Sequence, residues 1–154
     1  AAIWARTEAL LGAVTPEAVL AADPEALRAC GQSRPKVGHL VSIAEAVVAG
    51  TLSLPRVCDA PLDDARKELV SVKGIGPWTA ELFLLYSIGA MDAFPVGDVG
   101  LMEAHKRLSG HETRMDIKGF TAHAERWRPH RGVAAHLLWA WLHLDRGDAA
   151  PSPS

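Results

Sequence analysis

Apolar residues recur along this chain at the three- and four-residue intervals of helices, and polar residues fall where helix ends are expected. "TPEAVLAA" and "DPEALRAC" each open on a capping residue, Thr15 and Asp23, with proline next and glutamate behind it, where the helix dipole favours negative charge. In "KVGHLVSIAEAVVAG" Leu40, Ile43, Ala44 and Val47 share one helical face and Gly50 is a stop. "PLDDARKELVSV" is predicted to be a helix with Asp63 and Asp64 near its start. "PWTAELFLLYSIG" forms another, ending at Gly89, and "DVGLMEAHKRLSG" another, ending at Gly110. Beyond a loop at residues 115–120, "TAHAERWRP" predicts a short helix and "HRGVAAHLLWAWLHL" a long apolar one. No strand alternation or internal repeat competes with this pattern. The expected fold is all-α, one helical domain over residues 1–147, with "DAAPSPS" at 148–154 as a disordered tail.

Composition narrows the class. At 154 residues, with 49% hydrophobic and 22% charged residues, the chain has the make-up of a soluble domain with a real core. No apolar run approaches the roughly 20 residues that cross a bilayer, and "AAIWARTEALLGAV" lacks the pattern of a signal peptide, so no membrane partner and a cytoplasmic location are expected. Cys30 and Cys58 form no CxxC pair, so no iron–sulfur cluster or structural zinc site is expected from them. The seven histidines show no HExxH spacing, which argues against a catalytic metal. A formal net charge of -2 does not advertise nucleic-acid binding, though global charge says little about one face.

The most permissive turn is "VKGIGPWTA" at Val72 to Ala80. A dinucleotide loop would need GxGxxG after a strand, and a P-loop GxxxxGK[ST]; neither is present. What remains is a helical hairpin, with Gly74 and Gly76 able to take positive φ and Pro77 opening the second helix. Its amides would point outward at the positive end of a helix dipole and could hold one phosphate. A helix–helix connection that binds nothing explains the same glycines equally well.

"LVSVKGIGPWTAELFLLYSIGAMDAFPVGDVGLMEA" resembles the helix-hairpin-helix, glycine/proline-rich loop and aspartate of one DNA glycosylase superfamily, and looks most like its 3-methyladenine DNA glycosylase II branch. "AADPEALRACGQSRPKVGHLVSIAEAVVAGTL" upstream and "AERWRPHRGVAAHLLWAW" downstream are similar to the same branch. The resemblance implies a hairpin over residues 70–88 and a catalytic loop over 92–100. It implies that amides of Gly74, Gly76, Trp78 and Thr79 hold a DNA phosphate, and that carbonyls of Val70, Val72 and Gly74 ring a monovalent cation, sodium or potassium, with no other cofactor required. Branches that also cut the backbone carry a Schiff-base lysine at the position of Trp78. The resemblance therefore implies a monofunctional enzyme that flips out an alkylated purine, hydrolyses its N-glycosidic bond and leaves an abasic site. Lys73, on the other side of the hairpin, is not that nucleophile. The implied partner is double-stranded DNA containing alkylated bases, met by a monomer. Members typically carry an upstream glutamine-containing helix and a wedge residue, and the expected fold here is the helical domain lacking that segment.

Asp98 in "FPVGDVG" matches the family's essential aspartate. Taken alone, aspartate ahead of a helix is an ordinary N-cap, and the two roles can coexist. A helix N-terminus favours its charged form, which suits stabilising positive charge on the sugar and orienting water better than strong proton abstraction. Asp59, Asp63, Asp64 and Asp92 read as loop or helix-start charges. For the base pocket the resemblance implies Trp78 and Trp139, whose faces would attract a cationic ring, with Phe94 and Trp141 as candidate neighbours. Trp141 and Trp127 read better as packing. Arg126, Arg128, His130 and Arg131 form a basic cluster that either meets the DNA backbone or is a solvated face. Two other readings stay open: a non-catalytic DNA-binding module in which Asp98 only caps, and a helical protein-interaction domain.

Overall fold

The computed structural model describes residues 2–147; the tail expected at 148–154 lies outside them. Among the described residues every regular element is helical, and no helix is long and apolar enough to cross a membrane. The chain divides between Gly76 and Pro77 into two compact units.

The first unit contains α1 (Ala2–Leu11), α2 (Pro16–Ala21), α3 (Pro24–Ala29), α4 (Arg34–Val48), α5 (Leu54–Asp59) and α6 (Leu62–Val70). The proline-led helices begin as the sequence predicts. Thr15 accepts from the Ala18 amide at 3.2 Å and Asp23 from the Glu25 amide at 3.1 Å. Helix α4 starts slightly earlier than its apolar face suggests, because Ser33 caps it by accepting from the Lys36 amide. Helices α2 and α3 pack on α4, and α5 on α6, around fully buried Leu27, Leu52, Val57 and Leu69. Both cysteines are free, Cys30 buried and Cys58 exposed. After α6 the backbone turns at Gly74, whose φ is +100°. A Cβ there would come within 2.6 Å of the His39 Cβ, so the close approach of this turn to α4 requires glycine. Gly76 takes no positive φ, contrary to the sequence expectation, and a Cβ there would meet open space.

The second unit starts with α7 (Pro77–Phe83), which continues into a π-helical turn at Leu84–Ile88 and stops at left-handed Gly89. The loop that follows leads into α8 (Val99–Leu108), then α9 (Ile117–Ala124) with a short 3-10 turn at Glu125–Trp127, and finally α10 (Arg131–Arg146). Helix α8 packs along α10 around Leu101, Ala104 and Ala135, each with no exposed surface. Phe120 is likewise fully buried and anchors an aromatic cluster with Phe94, His105 and Trp127. That cluster gives Trp127 the packing role its sequence context suggests.

Candidate active site

Asp98 occupies the N-cap of α8 in an extended conformation, and its Oδ1 accepts from the Leu101 amide at 2.9 Å. Capping is thus real. The same oxygen also accepts from the Trp139 indole Nε1 at 3.1 Å, and Oδ2 accepts from the Trp78 indole Nε1 at 3.2 Å. All three contacts are donations to oxygen, which is what an ionised, acceptor-only carboxylate takes. A simple cap needs one such donor. The two indoles, from the start of α7 and the middle of α10, hold the carboxylate in a fixed orientation between two aromatic side chains.

The aromatic wall extends further than the sequence suggests. Tyr86, 61% exposed, stacks on Trp139 with ring centroids 5.8 Å apart and planes at 23°, and meets His136 edge-on at 5.2 Å. Tyr86 sits in the π-helical turn after α7, where the extra residue shifts the helical phase. Desolvation raises its phenol above the ordinary value and the Asp98 charge adds in the same direction, so the ring is neutral at physiological pH. Phe94 lies elsewhere. It is 3% exposed with its ring against Phe120 and Trp127, and its amide donates to Glu81 Oε2 at 2.7 Å.

Gly100 is a further site residue that sequence reasoning passes over. A Cβ there would lie 3.0 Å from Asp98 Oδ1 and 3.5 Å from the Trp139 indole nitrogen. The basic cluster at Arg126 to Arg131 also resolves differently. Arg131 is 6% exposed and bonded to Asp92 and Glu125, and Arg128 pairs with the same two carboxylates. Arg126 and His130 are exposed. Asp92 is therefore an ion-pair centre rather than a plain loop charge. In the hairpin, Gly74 and Gly76 close the first unit while Trp78 and Thr79 open the second; Trp78 is 46% exposed. Among the described residues no group of three or more His, Cys, Asp or Glu side chains could hold a metal ion.

A helical framework that presents an ionised carboxylate among indole and phenol faces, with a glycine hairpin earlier in the chain, defines a class of site suited to stabilising cationic charge on a substrate. The HhH-GPD superfamily of base excision DNA repair proteins matches residues 1–129. DNA-3-methyladenine glycosylase 1 of Schizosaccharomyces pombe is 34% identical over 129 residues, covering 81% of this chain and 55% of that protein. DNA-3-methyladenine glycosylase 2 of Escherichia coli is 33% identical over 125 residues, covering 81% of this chain and 41% of that one. The chain thus spans about half the length of these curated relatives. The solved structure of the S. pombe 3-methyladenine DNA glycosylase in complex with abasic DNA superposes with a TM-score of 0.82 at 30% identity, over 90% of this chain and 69% of that one. The chain belongs to the HhH-GPD superfamily of base excision DNA repair proteins.

Proposed function

We propose that the protein is a monofunctional DNA glycosylase that removes alkylated purines of the 3-methyladenine type from duplex DNA, acting as a monomer and leaving an abasic site. The observation that carries this reading is the Asp98 carboxylate, held by the Trp78 and Trp139 indoles as well as by the helix it caps. The identities with 3-methyladenine glycosylases, and the abasic DNA bound by the S. pombe relative, support it.

In this reading the damaged nucleotide is flipped from the stack and its cationic ring is drawn to the aromatic faces around Asp98. The bond between the base nitrogen and C1′ of the sugar breaks, its electron pair neutralises the purine, and positive charge develops on the sugar. Asp98 stabilises that charge through a preorganised, already oriented carboxylate. A water oxygen then bonds to C1′ and releases a proton, so that the products are the free base and an abasic site. Trp78 offers an indole nitrogen committed to Asp98 and no amine, so no Schiff base forms there and the DNA backbone stays intact.

The hairpin supplies the grip. Amides of Gly74, Gly76, Trp78 and Thr79 hold one phosphate, a contact that positions the protein without reading sequence. The carbonyls of Val70, Val72 and Gly74 would hold a monovalent cation. Such a donor set fits: Val70 lies in the last turn of α6, where carbonyls run out of helical donors, and Val72 accepts from the Ile75 amide with a lone pair left over. The cation would stiffen the turn and add positive charge beside the phosphate.

The Asp98 cap itself favours a second reading, a DNA-binding module without catalysis. Asparagine caps as well as aspartate but carries no charge. Single-turnover release of 3-methyladenine from alkylated duplex DNA, compared between the parent and Asp98→Asn, separates the two. The expected result is release by the parent and a rate lower by about 100-fold or more in the variant, with unchanged DNA affinity. Equal measurable rates would remove Asp98 from the chemistry, and a parent that binds DNA but releases no base would leave the binding module.

A further inference from the structure

The loop that ends in Asp98 is fastened to α10 at two places. At the far end Trp139 donates to Asp98 Oδ1. At the near end Arg131, the first residue of α10, gives Nε to Asp92 Oδ1 and Nη2 to Asp92 Oδ2, each at 2.8 Å. Nη2 also reaches the Asp92 carbonyl at 3.1 Å, and Nη1 reaches Glu125 at 2.9 Å. The next amide, of Gly132, donates to the Met91 carbonyl at 2.7 Å, and a Cβ on Gly132 would lie 2.8 Å from that oxygen. From Arg131 to Trp139 the helix rises about 12 Å, a fixed spacing. Helix α10 thus works as a ruler laid along the loop.

We infer that Arg131, through its forked grip on Asp92, is a positioning residue for Asp98. It indexes the start of the loop so that the carboxylate arrives where the Trp139 indole can hold it. The catalytic consequence rests on the glycosylase reading; the geometric one does not. A guanidinium suits the task because its planar fork meets both carboxylate oxygens and a carbonyl at once, whereas a lysine ammonium is a single point charge that cannot fix the loop's direction. A displacement of about 1 Å at the reacting centre is enough to lower a rate about 100-fold.

The test uses the full chain with Arg131→Lys, which keeps the charge, and Asp92→Asn, which keeps the shape, as the second variant in case the first fails to fold. The direct readout is the indole N–H resonances in a nitrogen-15 correlation spectrum, with Asp98→Ala as the reference for a lost bond. In both clamp variants the Trp139 resonance should move toward its Asp98→Ala position while Trp4, on α1, stays fixed. Alongside, single-turnover base release should fall about 10- to 100-fold for Arg131→Lys, with affinity for abasic-analogue DNA within about twofold of the parent. An unmoved Trp139 resonance in either folded variant overturns the inference. So does a parent-like release rate, or a rate loss matched by an equal loss of affinity. A parent that releases no alkylated base defeats the glycosylase reading instead, and leaves the resonance test to decide the positioning role.

Discussion

Gly100 and Asp98 are matched in size: a single added methyl on Gly100 would stand 3.0 Å from the carboxylate oxygen that both caps α8 and receives the Trp139 indole. Gly100→Ala should therefore separate stability from activity. Alanine is the better helix former, by up to about 1 kcal/mol, so the melting temperature should hold or rise. The carboxylate must shift by a few tenths of an ångström, and base release should fall about tenfold. A variant as active as the parent would show that Asp98 has slack at this contact.

The two hairpin glycines should respond in opposite ways. Gly74→Ala combines a left-handed backbone with a Cβ only 2.6 Å from the His39 Cβ, and should cost roughly 2–4 kcal/mol in denaturant unfolding. Gly76→Ala meets open space at an ordinary φ and should leave stability within about 0.5 kcal/mol. If the Gly76 amide approaches a phosphate, the added methyl should still weaken salt-dependent binding to abasic-analogue DNA. Binding unchanged by Gly76→Ala would remove that amide from the phosphate grip.

Tyr86 stacks on Trp139 and so presents its ring beside the carboxylate without bonding to it. If the proposed glycosylase function holds, Tyr86→Ala should reduce release of a cationic base such as 7-methylguanine more than that of a neutral one such as hypoxanthine, by about fivefold, because ring–cation attraction is worth about 1 kcal/mol. Tyr86→Phe keeps the face and should stay close to the parent. Equal losses for both bases in Tyr86→Ala would make the residue a packing support for Trp139 only.

Much of this site follows from local sequence rules, and the rest depends on contacts those rules do not see. The caps at Thr15, Asp23 and Asp98 are legible because capping depends on a few consecutive residues. Helices α1 and α5 are not, the first mostly exposed and without a clear start, the second short, with its proline one position later than in α2 and α3 and no acidic residue in its first turn. The basic run ending at Arg131 reads as a surface patch because its partner Asp92 lies 39 residues away in sequence. Phe94 suits a pocket or a core by composition alone; Phe120 and Trp127, from α9 and the turn after it, draw it into the core. Tyr86 escapes notice because a π-helical turn breaks the regular spacing from which a helix face is read.

Acid should weaken the second unit in two stages. His105 Nε2 and His123 Nε2 lie 2.9 Å apart, so both cannot carry a proton there. Desolvation holds His105 below the ordinary histidine value, helped by His123, His111 and Arg126, and desolvation with Arg126 and His111 does the same to His123. The unfolded chain therefore takes up these protons first. The stabilisation is complete above about pH 6.5 and is lost as the pH falls through the lower folded-state values. Asp92 follows at lower pH. Desolvation pushes its carboxyl up, but the hydrogen bonds and charge of Arg131, with Arg128, outweigh that and hold it below the ordinary value. Its contribution is present above about pH 4 and disappears below it. Melting temperatures measured from pH 7.5 to pH 3 should show both losses in the parent. The double variant His105→Gln/His123→Gln should be flat between about pH 7 and 5 and still fail in acid, whereas Asp92→Asn should be weaker at neutral pH and lose less below pH 4. A double variant that loses stability as steeply as the parent between pH 7 and 5 would place the first stage on other groups.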